Sequence, residues 1–265
     1  MIPDMTGSHP LPPYRGLLAV DLVRYRDNRD RLLPELSALI PEVLDRAFSR
    51  CGLDYIWKDR RFPDLPGDGY VFGTPTEHLP YLIHPFLDAL QNVLWELSPM
   101  LRARDRAWSM RMRVGINVGP APDQGDPLRD RKGTATVETF RLLDSDELRD
   151  TMAGTEPDVT LVGAILSERV FQDVVTGGHT AIHDSEFRHV VAEVPKKEFA
   201  RHAWIYVPRP SFRDGAPGPE HRTEKKAAGG PQEQDTTGTT AIYHDRVGQA
   251  FHGGTFNGGI TFTES

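Results

Sequence analysis

The chain has 265 residues, 38% hydrophobic and 26% charged, enough for one sizeable folded domain plus extensions. Acidic side chains number 38 against 31 basic ones, and the net charge of −7 removes any global electrostatic case for nucleic-acid binding. Cys51 is the one cysteine, which excludes a disulfide framework and nearly excludes a cysteine-based zinc site; it reads as a small buried hydrophobe near a helix end.

Residues 1–13 are rich in proline and read as a disordered leader, without the charged and apolar segments of a signal peptide. No apolar stretch approaches the roughly 20 residues of a membrane span, so a cytoplasmic protein is expected. Residues 15–22 read as a buried strand that ends on Asp21 and Leu22. Leu32, Leu36, Ile40, Val43, Ala47 and Phe48 then recur at helical spacing, with Pro41 expected to kink the helix and Gly52 to stop it. Residues 69–73 form a short strand directly after Gly67-Asp68-Gly69, which alone is a hairpin turn signal. Leu79, Ile83, Phe86, Leu90, Leu94 and Leu97 mark a second long helix.

Residues 108–118 alternate cleanly. Trp108, Met110, Met112, Val114, Ile116 and Val118 fall on one face, and Ser109, Arg111, Arg113, Gly115 and Asn117 on the other. That is the pattern of a half-buried strand, with Arg111 and Arg113 on its polar face. A turn-rich stretch to Lys132 follows, then a helix over 134–143, a strand over 159–162, a helix capped by Ser167 and running to Val175, and two closing strands over 186–194 and 202–207. The order β, α, β, α, β, α, β, α, β, β argues for an α/β sandwich with a mixed, largely antiparallel sheet and flanking helices. Residues 14–208 are taken as this domain. From 209 to 240 the chain is dominated by Pro, Gly, Thr and charged residues and reads as a disordered linker. Residues 241–265 recover aromatic and β-branched residues among glycines.

Two carboxylates at strand edges, Asp21 and Asp68, suit a hard divalent cation shared with phosphate oxygens. The alternative for Asp21 is a solvated strand-end residue. Val20-Asp21-Leu22, Gly67-Asp68-Gly69, the run from Met112 to Pro120 (MRVGINVGP) and Phe140-Arg141-Leu142-Leu143-Asp144-Ser145, in that order, resemble the catalytic domain of class III nucleotidyl cyclases, the adenylate/guanylate cyclase family. The resemblance covers roughly residues 15–207 and implies a ferredoxin-like βαββαβ core. It implies a metal site of Asp21, the Leu22 position and Asp68 holding two Mg²⁺ or Mn²⁺ ions. Arg141 would be the cation at the reacting phosphate, contributed across a head-to-tail homodimer. The substrate would be a nucleoside triphosphate. Lys196 or Lys197 would reach its phosphates, and Asp64 and Asp130 would align with the base-reading positions. A carboxylate at Asp64 cannot donate to adenine N1 but can accept from guanine N–H groups, so GTP or a pyrimidine triphosphate is expected over ATP; the alternative for Asp64 is a turn residue. One departure weighs on activity: Val137 stands where the family has a transition-state asparagine. The ten histidines show no metal-ligand spacing.

The tail holds a short repeat, Phe251-His252-Gly253-Gly254-Thr255 then Phe256-Asn257-Gly258-Gly259-Ile260. It resembles RHIM-like bacterial amyloid-signalling motifs, which implies a partner protein carrying a matching motif, in signalling or antiphage defence. The alternative is a disordered Gly-rich end.

Overall fold

A computed structural model describes residues 9–23, 33–67, 69–104, 110–123 and 133–213. Asp68, Asp130 and the Gly-rich tail lie outside the described residues, as do residues 1–8 of the expected leader and 214–240 of the expected linker.

Seven strands form one sheet: β1 (Tyr14–Leu22), β2 (Arg61–Asp64), β3 (Gly69–Thr74), β4 (Met112–Pro120), β5 (Val162–Ser167), β6 (Arg188–Val194) and β7 (Phe199–Tyr206). Their spatial order is β2-β3-β1-β4-β5-β7-β6, and only the β4–β5 pair is parallel. The first four strands, with α1 (Leu33–Arg50) between β1 and β2 and α4 (Phe86–Arg104) before β4, make the expected βαββαβ core. The α/β sandwich with a mixed, largely antiparallel sheet is therefore the observed architecture.

β1 is central because it can be buried on both faces: residues 17–20 are fully buried. Leu18, Val20 and Leu22 face a core shared with Leu36, Ile40 and Leu44 of α1 and Leu87, Leu90 and Leu94 of α4. Strand alternation puts Leu17, Ala19 and Asp21 on the opposite face. There α5 (Thr134–Leu143) and α6 (Asp146–Ala153) cover the sheet, with Leu142, Leu143 and Leu148 packed around Ala19 and Ile165.

Several local expectations hold. α1 ends at Arg50 and is closed by Gly52 in the left-handed region at φ +72°, with Gly52 N–H on Ser49 O at 3.1 Å and Leu53 N–H on Phe48 O at 2.9 Å. Ser167 caps α7 (Glu168–Val170), its side chain accepting from Val170 N, and the helix continues as a π-helical turn over Phe171–Thr176.

Other expectations are corrected. The second long helix is two, α3 (Leu79–Ile83) and α4, because His84 before Pro85 is extended at φ −140°, ψ 128°. The strand expected at 159–162 starts only at Val162. β2, α2 (Asp54–Lys58) and α6 were not expected at all. β4 is not half-buried. Arg111, just before the strand, and Asn117 on its polar face are 7% and 2% exposed, because α5 and α6 cover that face and these polar groups bond to them. Residues 209–213 continue along the domain, with Arg213 N bonded to Gly154 O at 3.0 Å. No helix among the described residues is long and apolar enough to cross a membrane.

Candidate active site

Asp21 and Arg113 are register partners across β1 and β4. Arg113 Nε donates to Asp21 Oδ1 at 2.8 Å and its terminal nitrogen donates to Oδ2, with side chains only 11% and 14% exposed. This two-pronged fork suits a carboxylate that is mostly shielded from water. Gly69 is the register partner of Asp21 on the other side, in β3. A Cβ on Gly69 would sit 2.6 Å from Val20 O, so only glycine lets β3 approach β1 here. Asp68 precedes that glycine and lies outside the described residues.

The donor set suits a hard cation. Asp21 offers carboxylate oxygens, of which Arg113 engages one lone pair each, and the main-chain carbonyl of Leu22 is adjacent in sequence. Among the described residues no group of three His, Cys, Asp or Glu side chains converges, so a complete site needs Asp68 or substrate oxygens.

α5 lies close against β4 because β4 carries glycines beneath it. Cβ atoms on Gly115 and Gly119 would stand 3.2 Å from Thr139 O and 2.7 Å from the Ala135 Cβ. Asn117 fixes the contact by donating to Ala135 O at 3.1 Å. The outward stripe of α5 is then Thr134, Val137, Glu138 and Arg141, at helical spacing. This stripe borders a cavity of about 840 Å³ that Phe199 and Arg201 of β7 also line. The guanidinium carbons of Arg141 and Arg201 each lie 5.7 Å from the Phe199 ring centroid. Val137 is 49% exposed on this wall.

Just past α5, Asp144 accepts from Lys197 Nζ at 2.8 Å and from Arg149 at 2.8 Å. Burial pushes its carboxyl up, but Lys197, Arg149 and Arg113 outweigh that and hold it below the usual carboxylate range. Arg113, forked onto Asp21, thus also acts through its charge on Asp144. Lys197 is committed to Asp144, whereas Lys196 stands exposed in the β6–β7 turn.

The structure brings Asp21, Leu22 and Arg113 together, and sets Arg141 in the cavity. It does not bring Asp64 to them. Asp64 ends β2 opposite Val71, and β3 separates it from β1, about 10 Å at two strand spacings. Asp130 lies outside the described residues.

Sequence reading assigned Arg113 only to a polar strand face. The signal that was present is the oppositely charged residue at the matching register position of the neighbouring strand. Arg201 gave no signal, because it belongs to no motif. Arg111 is structural: buried, it donates to Met152 O and Thr155 Oγ1 at the end of α6 and to Thr160 O.

No protein-family model matches the chain, and no curated protein matches it. Among solved structures it is similar to an adenylate/guanylate cyclase/hydrolase from Silicibacter pomeroyi, at 19% identity over 74% of this chain and 97% of that one, TM-score 0.42. It is similar to the adenylyl cyclase CyaB from P. aeruginosa, at 15% identity over 78% of this chain and 98% of that one, TM-score 0.49. The guanylyl cyclase Cya2 gives 17% identity over 74% of this chain and 91% of that one, TM-score 0.46.

Proposed function

We propose that the domain is a class III-like nucleotidyl cyclase that converts a nucleoside triphosphate to a 3′,5′-cyclic nucleotide and pyrophosphate as a homodimer. The observation that carries this reading is that Asp21 stands on the sheet face that α5 covers, the helix presenting Arg141 outward. The order of motifs along the sequence supports it independently.

The reaction joins the ribose 3′-oxygen, whose proton is released to solvent, to the α-phosphorus. It breaks the bond to the oxygen bridging the α- and β-phosphorus atoms, and that oxygen leaves with pyrophosphate. Asp21, the Leu22 carbonyl and Asp68 would hold the divalent ions. When bound, Mg²⁺ or Mn²⁺ lowers the pKa of the 3′-hydroxyl and neutralises phosphate charge. Arg113 holds the Asp21 carboxylate in one orientation. Arg141 supplies a two-pronged donor for charge growing on the α-phosphate. Lys196, exposed in the β6–β7 turn, would reach the phosphates. Asp64, with Asp130, is the base reader, which favours GTP or a pyrimidine triphosphate over ATP.

A second reading has a specific observation in its favour. Val137 offers no polar atom on the cavity wall where a transition-state donor is required. The domain would then bind nucleotide or dimerise without turnover. In either reading the segment 241–265 joins a partner protein with a matching amyloid-type motif, in bacterial signalling or defence.

Incubation of the full chain with each of the four nucleoside triphosphates and Mn²⁺, with product detection, tests the reading. A cyclic product lost in Asp21→Ala and Arg141→Ala supports the cyclase. No product from any triphosphate, with turnover appearing in Val137→Asn, establishes the silent form instead.

A further inference from the structure

β6 and β7 form an antiparallel hairpin, with β6 at the edge of the sheet. One face of the hairpin turns Val190, Ala192, Val194, Phe199, Ala203 and Ile205 into the core. The other face carries His189 and His202, both exposed. His189 stands opposite Trp204 and His202 opposite Val191, so the two imidazoles are diagonal neighbours on one face, within reach of each other. They meet: His189 Nε2 lies 3.0 Å from His202 Nδ1, with ring centroids 5.1 Å apart and planes within 19° of parallel. Thirteen residues separate the pair in sequence, a spacing that carries no signal; strand register alone brings them together.

The surroundings hold the pair in place and make it hospitable to a cation. Trp204 stacks on Phe171 at 3.6 Å between centroids, and the His189 ring packs against Trp204 at 5.0 Å. Trp204 Nε1 donates to Glu168 Oε2 at 2.8 Å, and Gln172 Nε2 donates to Glu168 Oε1 at 2.9 Å. Burial pushes the Glu168 carboxyl up. The hydrogen bonds from Gln172 and Trp204 and the nearby charge of His189 and His202 outweigh that and hold it below the usual carboxylate range. A carboxylate thus stands in the field of both imidazoles. The neighbouring cations look away: Arg188 donates to Thr151, and Arg201 lies over Phe199, both on the opposite face.

We propose that His189 Nε2 and His202 Nδ1 together bind one imidazole-preferring transition-metal dication, of the Zn²⁺, Ni²⁺ or Cu²⁺ class, across the β6–β7 hairpin. Two nitrogens on one such ion, at metal–nitrogen distances of about 2.0–2.1 Å, stand about 2.9 Å apart at a right angle and about 3.3 Å apart at the tetrahedral angle. The 3.0 Å separation falls between these. Two strands hold the ligands, a rigid base for a fixed geometry. Among the described residues no group of three His, Cys, Asp or Glu side chains converges, so water fills the remaining positions and Glu168 contributes charge rather than a bond. The nitrogen ligands separate this site from Asp21, whose oxygens suit hard cations. The proposal stands apart from the cyclase reading.

The test strips the full chain with EDTA, dialyses it, and titrates it calorimetrically with Zn²⁺ in excess Mg²⁺, which occupies oxygen-ligand sites. His189→Gln and His202→Gln each remove one ligand, and His179→Gln removes an exposed histidine elsewhere as the control. Each of the first two should lower Zn²⁺ affinity about 100-fold or more, since a lost ligand costs at least as much as the 10–100-fold of a lost supporting contact. The control and Asp21→Ala should keep it. Both ligand positions are exposed, so melting temperatures in EDTA should match the unsubstituted protein. With Cu²⁺ as the probe, electron paramagnetic resonance should show two coordinating nitrogens, and one in each ligand variant. Equal affinity in all the proteins, a loss confined to one of the two ligand variants, or an equal loss in the control overturns the shared site and leaves a hydrogen-bonded pair. A loss in Asp21→Ala alone assigns the ion to the candidate active site and likewise overturns it.

Discussion

Arg113 and Asp21 occupy the same rung of the β1–β4 ladder, and the guanidinium engages both oxygens of the carboxylate in a nearly dry position. Arg113 thus compensates the charge of Asp21. A divalent ion arriving there meets a carboxylate already oriented but already partnered.

Removing Arg113 leaves a buried charge unmatched. Arg113→Gln should lower stability by about 3–5 kcal/mol. Mn²⁺ should return part of that loss, since the ion then supplies the positive charge. Thermal unfolding with and without Mn²⁺ reads both effects. A loss that Mn²⁺ leaves untouched removes Asp21 from the metal site.

Val137 is half exposed, so its replacement should not disturb folding. Val137→Asn places a donor on the cavity wall beside Arg141. Turnover should rise about 10²-fold or more, the size of a lost oxyanion-type contact. Rates of cyclic product at equal melting temperature are the measurement.

Much of this was legible in the sequence, and the limits are physical. β1 and β3 were visible because their apolar residues run without interruption, and α5 because its residues carry a family-like motif. β2 was not: it is four residues long, contains Pro63, and pairs with β3 through an irregular register. α6 was missed because DELRDTMA has few apolar residues, of which only Leu148 and Met152 are buried. The polar face of β4 looked solvated because period-2 alternation reports only polarity, and a face packed by helices through hydrogen bonds has the same pattern. Of the site, the motif residues were legible. The Phe199–Arg201 wall was not, since it is made by a strand pairing far along the chain.

Asp144 gives a pH dependence. Its folded-state pKa lies below the unfolded value near 3.9, so its contribution is present above that value and is lost as pH falls through the folded one. Asp144→Asn should lower the urea midpoint at pH 7. The difference from the unsubstituted protein should shrink below about pH 4. A difference that stays constant down to pH 3 contradicts the ion-pair origin.

Gly119→Ala would drive a Cβ to 2.7 Å from the Cβ of Ala135 in α5, where neither atom can rotate away. A loss of about 1–3 kcal/mol is expected. Gly163→Ala meets the sulfur of Met152, which can swing aside. Its loss should be smaller. Urea unfolding of the two variants side by side decides; an equal loss would mean that α5 is not held by the glycine contact.

The outward stripe of α5 has an evolutionary consequence. Packing is settled by the underside of the helix, by Ala135, Thr139 and Leu142 against β1 and β4. Chemistry is settled by the opposite side, where a residue such as Val137 answers to solvent and ligand alone. A lineage could therefore switch this domain off, or back on, at one surface codon while its melting temperature stayed the same. Silent and working versions of such a protein would look identical to any selection for folding, and only the substrate could tell them apart.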